Sequence, residues 1–424
     1  MVLTTGGRAP DAGAPEWPSP DAPPSQGHVQ SPPAPAAARP KRAIVGVVGA
    51  LVVIALAAGA TAVRSRTATD AKAPAGGAGS PVRPSSDSVQ EVVPRLQRYV
   101  ERVRGLQFNA PVKVSVLEDA PFHARLEASS SADTDDVLGQ EATLRALRLL
   151  PNDLNLAQAR ERDRQRAVGF YDPATKELYV KGASVTPHVR FVLVHELTHA
   201  LQDQQFDLAR LGAVSDDAAL AARAVVEGDA ERTARTYLST LPQAEQDAIR
   251  GEAPARRDDI YNQAYYTSVD NFPYVVGTAW NDAVREAGAQ VALDDAFRTF
   301  PRSTAEIMHP DRYLAGAGPA EVAPPAADGP IVDQGVVGEY QLVYLLTRAV
   351  DDQDAFDIAR AWGGSRFVTW RTGDRSCTRV SFTMLSAAAD DLLAQALGAW
   401  AETTDARVEG TGPVVLSACD GRPA

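Results

Sequence analysis

The order of apolar and polar positions divides the chain into segments of two periods. Residues 91–100 (EVVPRLQRYV) bring apolar side chains to one face at helical spacing, and residues 138–150 do the same before stopping at Pro151. Residues 112–117 (VKVSVL) alternate like a strand, and residues 169–180 read as a hairpin turning at Asp172-Pro-Ala-Thr175. A helix is predicted from Thr186, whose hydroxyl suits an N-cap, with Pro187 in the first helical position, on to Phe206. An Ala-rich helix follows from Ser215-Asp216-Asp217 to about Leu238. Further helical spacing covers 268–288 and 336–350, separated by a Gly, Ala and Pro loop at 315–330. Strands at 366–371 and 378–382 flank Thr372-Gly-Asp374 as a hairpin, and a last strand is expected at 414–417. No segment repeats.

The N-terminal part has a different pattern. Residues 1–42 hold ten prolines and few apolar side chains beyond Ala, so they cannot bury enough surface to offset chain entropy. A disordered tail is expected there. Residues 43–63 (AIVGVVGALVVIALAAGATAV) contain no charge, and as a helix they would span roughly 30 Å, the thickness of a bilayer core. Arg39, Lys41 and Arg42 precede this run and Arg64 and Arg66 follow it, as interface anchors would. The segment therefore reads as a single uncleaved membrane helix. A cleavable signal peptide is the competing reading, because Ala60-Thr-Ala62 resembles a small-residue cleavage site. Residues 64–88 form a linker of small residues, and the globular domain is expected at 89–424.

Composition narrows the partners. A net charge of −12 over 424 residues argues against nucleic acid, which demands clustered Lys and Arg. The two cysteines, Cys377 and Cys419, are too few for a thiolate zinc site. Paired, they would make one disulfide and fit an exported domain; two free buried thiols is the other reading. Positively charged residues flank the apolar run evenly, so orientation rests on that cysteine pair, which places the C-terminal domain outside the cell.

The chemistry is concentrated in the helix ending at Phe206. His195-Glu196-Leu197-Thr198-His199 is an HExxH pattern in a chain with only six histidines. Two imidazoles four residues apart share one helical face and can reach one ion. Glu196 stands about 100° round the helix, where it can deprotonate a water at the ion's open position. A zinc site of this kind needs a third protein ligand. Glu227 is the best candidate: it precedes Gly228, a residue that costs about 1 kcal/mol inside a helix and so wants a packing reason. Close approach to the HExxH helix would supply that reason. Asp229 and Glu231 are alternative ligands.

His195-Glu-Leu-Thr-His-Ala200 and the later Glu227-Gly-Asp-Ala230 resemble the zinc metallopeptidases of the gluzincin, thermolysin-like group. The resemblance implies an α+β fold with a zincin-like core, a small twisted sheet plus two metal-bearing helices, within a mostly helical ectodomain. It further implies Zn2+ as cofactor, a protein or peptide substrate, and Leu178-Tyr-Val180 as the edge strand that pairs with substrate. Glu231, sharing a face with Glu227, is expected to hold an imidazole from outside the metal, and Asp203 could act similarly. His309 is a candidate for stabilising the oxyanion, with Tyr313, Tyr265 and Tyr266 behind it. The competing function is a catalytically inactive, envelope-anchored zinc-binding or interaction domain.

Overall fold

The computed structural model describes residues 51–52, 88–129, 134–151, 153–182, 184–213, 216–252 and 264–421. The tail at 1–42 and the linker at 64–87 lie outside these residues. So does the expected membrane helix at 43–63, except for Leu51–Val52, which form a two-residue strand, β1. Among the described residues no helix is long and apolar enough to cross a membrane.

The globular chain opens with α1 (Val89–Arg104). Ser88 and Glu91 cap it reciprocally, and Gly105 ends it in the left-handed conformation at φ 69°. Next come β2 (Lys113–Leu117), α2 (Asp119–Ser129), α3 (Thr134–Ala146) and α4 (Leu156–Arg164). The expected hairpin is β3 (Gly169–Asp172) and β4 (Glu177–Lys181), antiparallel, with Tyr171 opposite Leu178. These strands make a small sheet in the order β1-β3-β4-β2, with β2 parallel to β4. Leu178–Val180 therefore lie in an interior strand, not at an edge. The parallel neighbour comes from over 60 residues earlier, which local alternation does not reveal.

Two long helices follow: α5 (Pro187–Phe206), which packs on this sheet, then, after a 3-10 turn, α6 (Asp216–Ser239), which packs on α5. Beyond them are α7 (Gln243–Glu252) and α8 (Tyr265–Arg298), the latter broken at Gly288–Ala289, where the backbone leaves helical angles. Short helices α9 (Thr304–Met308) and α10 (Pro310–Leu314) lead through the expected loop to β5 (Ile331–Gly335), α11 (Glu339–Leu346) and α12 (Asp352–Ala359). A second sheet then forms from β6 (Trp362–Thr372), β7 (Arg375–Met384), β8 (Arg407–Glu409) and β9 (Val414–Cys419), with α13 (Ala387–Glu402) between β7 and β8. Its order is β5-β6-β7-β9-β8, all antiparallel. Cys377 and Cys419 face each other across β7 and β9 and form a disulfide.

Among the described residues two large apolar cores form, with two small clusters beside them. One joins α1, the small sheet and α5 through Val100, Leu178, Phe191, Val194 and Leu197. The larger joins α6, α8 and α11 to the second sheet and α13 through Val225, Phe272, Tyr340, Phe382 and Trp400. Helix α6 takes part in both: Ala221 to Val226 enter the larger core, Ala234 and Leu238 the smaller. The fold is α+β.

Candidate metal centre

The seam between the cores is where the His and Glu side chains meet. Helix α5 starts as its sequence dictates: Thr186 Oγ1 accepts from the Val189 N–H at 3.2 Å and Pro187 takes the first turn. Two turns on, His195 and His199 lie with ring centroids 4.6 Å apart. From α6, Glu227 Oε2 approaches His195 Nε2 to 3.2 Å and His199 Nε2 to 3.4 Å. One ligand atom from each of the three lies within 4.8 Å of the others, and all three side chains are buried. This group could hold a metal ion.

Charge inside the triad is finely poised. Burial lowers the pKa of His195. Burial is the largest single influence on His199 and opposes its charge, but Glu227, joined by Glu196 and the Gln202 contact, raises that imidazole on balance. Against its own burial, Glu227 is held well below the usual carboxylate range by the two rings. The triad is thus an anion clasped by imidazoles, an arrangement a divalent cation can replace by displacing a proton. Among the described residues the buried His199 Nε2 makes no well-aligned hydrogen bond, and the Glu227 carboxylate at 3.4 Å is the charged group it faces.

Groups on the outer side orient the rings. His199 Nδ1 lies 2.9 Å from Gln202 Oε1. His195 Nδ1 lies 3.8 Å from Glu231 Oε2, while Glu231 Oε1 accepts from Arg235 Nε at 2.8 Å. Glu231 is thus beside the imidazole it was expected to hold, at a distance longer than a hydrogen bond. Gln202 was missed, although three residues after His199 puts it on the same helical face.

Glu196 is oriented by the sheet. The Tyr171 N–H donates to its Oε2 at 2.8 Å, so β3 is the strand that runs beside this carboxylate. Close passage is possible because Gly169 has no side chain: a Cβ there would come within 3.1 Å of Val192 Cγ1 and 3.9 Å of Glu196 Cγ. Asp203, expected beside a ligand, instead secures this contact from α5. It accepts from Tyr171 Oη at 2.7 Å, from Lys176 Nζ at 2.7 Å and from the Leu208 N–H at 2.9 Å. Burial, then the Asp203 bond, push the Tyr171 phenol above its ordinary pKa.

The remaining sequence candidates fall elsewhere. Asp229 points to Gln202, Arg104 and Arg232 and is outside the ligand group. His309 Nε2 is 2.6 Å from Glu339 Oε1 at the start of α11, with Arg312 on the same carboxylate. Its ring is thereby committed to joining α9 and α11 and is not brought to the triad. Tyr313 donates to the Thr299 carbonyl at 3.0 Å, and Tyr265 packs on Tyr340 and Tyr344. Among the described residues the aromatic ring that does lie beside the triad is Tyr274 of α8, with its centroid 6.2 Å from that of His195. Nothing local in the sequence distinguished it from its neighbours. Comparison of the chain with family models, curated proteins and solved structures found no match.

Proposed function

We propose that the protein is a membrane-anchored, zinc-dependent peptidase that hydrolyses peptide bonds, with its catalytic domain outside the cell. The observation that carries this reading is the convergence of His195, His199 and Glu227 within 4.8 Å beside a Glu196 carboxylate fixed by the Tyr171 N–H. Two imidazole nitrogens and one carboxylate oxygen are the three-ligand set of catalytic zinc sites, which leave a further position open. Zinc bound by these residues would polarise a carbonyl oxygen and lower the pKa of a water molecule.

This chain's residues then do the rest. Glu196 takes the proton from the attacking water and passes it to the leaving amine. The β3 backbone holds that carboxylate in place, and Gln202 keeps the His199 imidazole turned inward, with the Glu231 carboxylate beside that of His195. Anchoring rests on the uncharged run at 43–63, and export on the Cys377–Cys419 disulfide.

A second reading is favoured by one observation: Glu196 and all three ligands are at most 1% exposed. Closed sites are typical of structural zinc, so a zinc-stabilised domain without turnover is the competitor. The test is elemental analysis of the detergent-solubilised chain, followed by cleavage of casein and unstructured peptides with and without a chelator. Stoichiometric zinc with chelator-sensitive cleavage supports the peptidase. Zinc without cleavage favours the structural site, and a metal-free chain removes both.

A further inference from the structure

Arg104, the last residue of α1, is 1% exposed, which is rare for a guanidinium without paired charges. Its Nε lies 2.7 Å from Asp229 Oδ2 of α6, an ion pair without the alignment of a linear hydrogen bond. Its Nη2 donates to Asp294 Oδ1 of α8 at 3.1 Å, and the guanidinium carbon stands 5.8 Å above the Phe297 ring. Asp229 is also gripped by Arg232 at 3.2 Å. The third contact of the Asp229 carboxylate leads back to the triad: Gln202 Nε2 donates to Asp229 Oδ2 at 2.8 Å.

These contacts settle how the Gln202 amide is turned. Its nitrogen faces two acceptors, Asp229 Oδ2 and the Val226 carbonyl at 3.1 Å. With both hydrogens used there, the oxygen must face the third neighbour, His199 Nδ1, at 2.9 Å. That oxygen can only accept, so Nδ1 carries the hydrogen, and whenever the ring is neutral its lone pair lies on Nε2, on the Glu227 side. Arg104, Asp229, Gln202 and His199 thus form an unbroken buried chain from α1 through α6 to α5. Buried ion pairs rarely earn their place through stability alone, since apolar replacements often match them. A directional task is the better account of this one.

We propose that Arg104 is a positioning residue for His199. Acting through Asp229 and Gln202, it holds the imidazole in the tautomer that offers Nε2 to a metal, and so makes metal affinity depend on the docking of α1. The proposal rests on the metal-site part of the reading above, not on peptide hydrolysis.

The test uses the full-length chain in detergent, with Zn2+ affinity measured by competition against a chromophoric chelator. Loss of a partner on the far side of a metal-ligating imidazole costs about 10- to 100-fold in affinity, and that range is expected for Gln202→Leu. Arg104→Met should weaken zinc binding by about tenfold. The double variant should bind no more weakly than Gln202→Leu alone, because the route from Arg104 is already cut. Arg104→Met within twofold of the parent, or a double variant showing the product of the two losses, would overturn the proposal. A readout independent of metal loading is long-range 1H–15N NMR of the metal-free chain at alkaline pH. His199 protonated on Nδ1 supports the relay, and His199 protonated on Nε2 sinks it even if Arg104→Met does not fold. A parent chain that binds no zinc defeats the functional reading, while this NMR result still decides the relay.

Discussion

Gly228 of α6 and Gly277 of α8 meet backbone to backbone. A Cβ on Gly228 would collide with the Gly277 carbonyl, and one on Gly277 would come within 2.9 Å of the Ala224 carbonyl carbon. Asn281 Nδ2 seals the crossing by donating to the Ala224, Val225 and Gly277 carbonyls at 3.3, 3.2 and 2.8 Å. The glycine after Glu227 thus exists for α8, not for the HExxH helix, and the crossing fixes the segment that carries Glu227.

Gly228→Ala should therefore destabilise the protein despite the higher helix propensity of alanine. Propensity favours the change by about 1 kcal/mol, but forcing a methyl into a close-packed crossing costs about 1–3 kcal/mol and also displaces backbone. The expected result is a lower melting temperature together with weaker zinc binding, since Glu227 must shift with its neighbour. An unchanged melting temperature would show that the helices part without cost.

What the sequence revealed, and what it hid, follows the range of each interaction. The α5 site was legible because its spacing, its cap and its proline are all local. Glu227 was legible through the cost of the glycine beside it, although the reason for that glycine was not, because Gly277 lies 49 positions on. Arg104 lies beyond the helix expected at 91–100, and nothing local marks its charge as buried, because its partners come from α6 and α8. The edge strands β5 (IVDQG) and β8 (RVE) have no apolar alternation to announce them, so the five-stranded sheet was legible only as its central hairpin and last strand.

Asp217 gives a pH prediction. This buried carboxyl accepts from the Thr304 N–H at 2.9 Å and Oγ1 at 2.6 Å, yet burial, aided by Glu339 and Asp216, pushes its pKa up to about 7. In the unfolded chain an aspartate titrates near 3.9. The folded state therefore holds a proton that the unfolded state has released between those values, so stability falls as pH rises from about 4 to about 7. Below that window the group has no cost; above it the full cost of a buried charge applies. Asp217→Asn should flatten this part of the stability curve, as read by urea unfolding at several pH values. A slope identical to the parent would assign the dependence to other groups.

The disulfide ties β7 to β9 across a separation of 42 residues. Loop-closure entropy for a ring of that size corresponds to about 4 kcal/mol, less whatever the unfolded state retains. The Cys377→Ala/Cys419→Ala protein should melt lower but still bind zinc, because the triad belongs to α5 and α6. Metal loss in the folded double variant would tie the second sheet to the site.

Glu196→Gln separates the base from the site that surrounds it. The Gln oxygen can still accept from the Tyr171 N–H, and the side chain has nearly the same volume, so the β3 contact and the three ligands should stay as they are. What disappears is the capacity to take a proton from water, and with it a contribution of about 100- to 10,000-fold. The expected phenotype is full zinc content, unchanged melting temperature and hydrolysis reduced by at least that lower factor. Glu227→Ala is the complementary case: it removes a ligand, so zinc content itself should collapse and activity with it. A Glu196→Gln protein with more than a tenth of parental activity would mean that another group accepts the proton. Because Glu196 is not among the three ligands, no loss of metal could be offered to rescue the assignment.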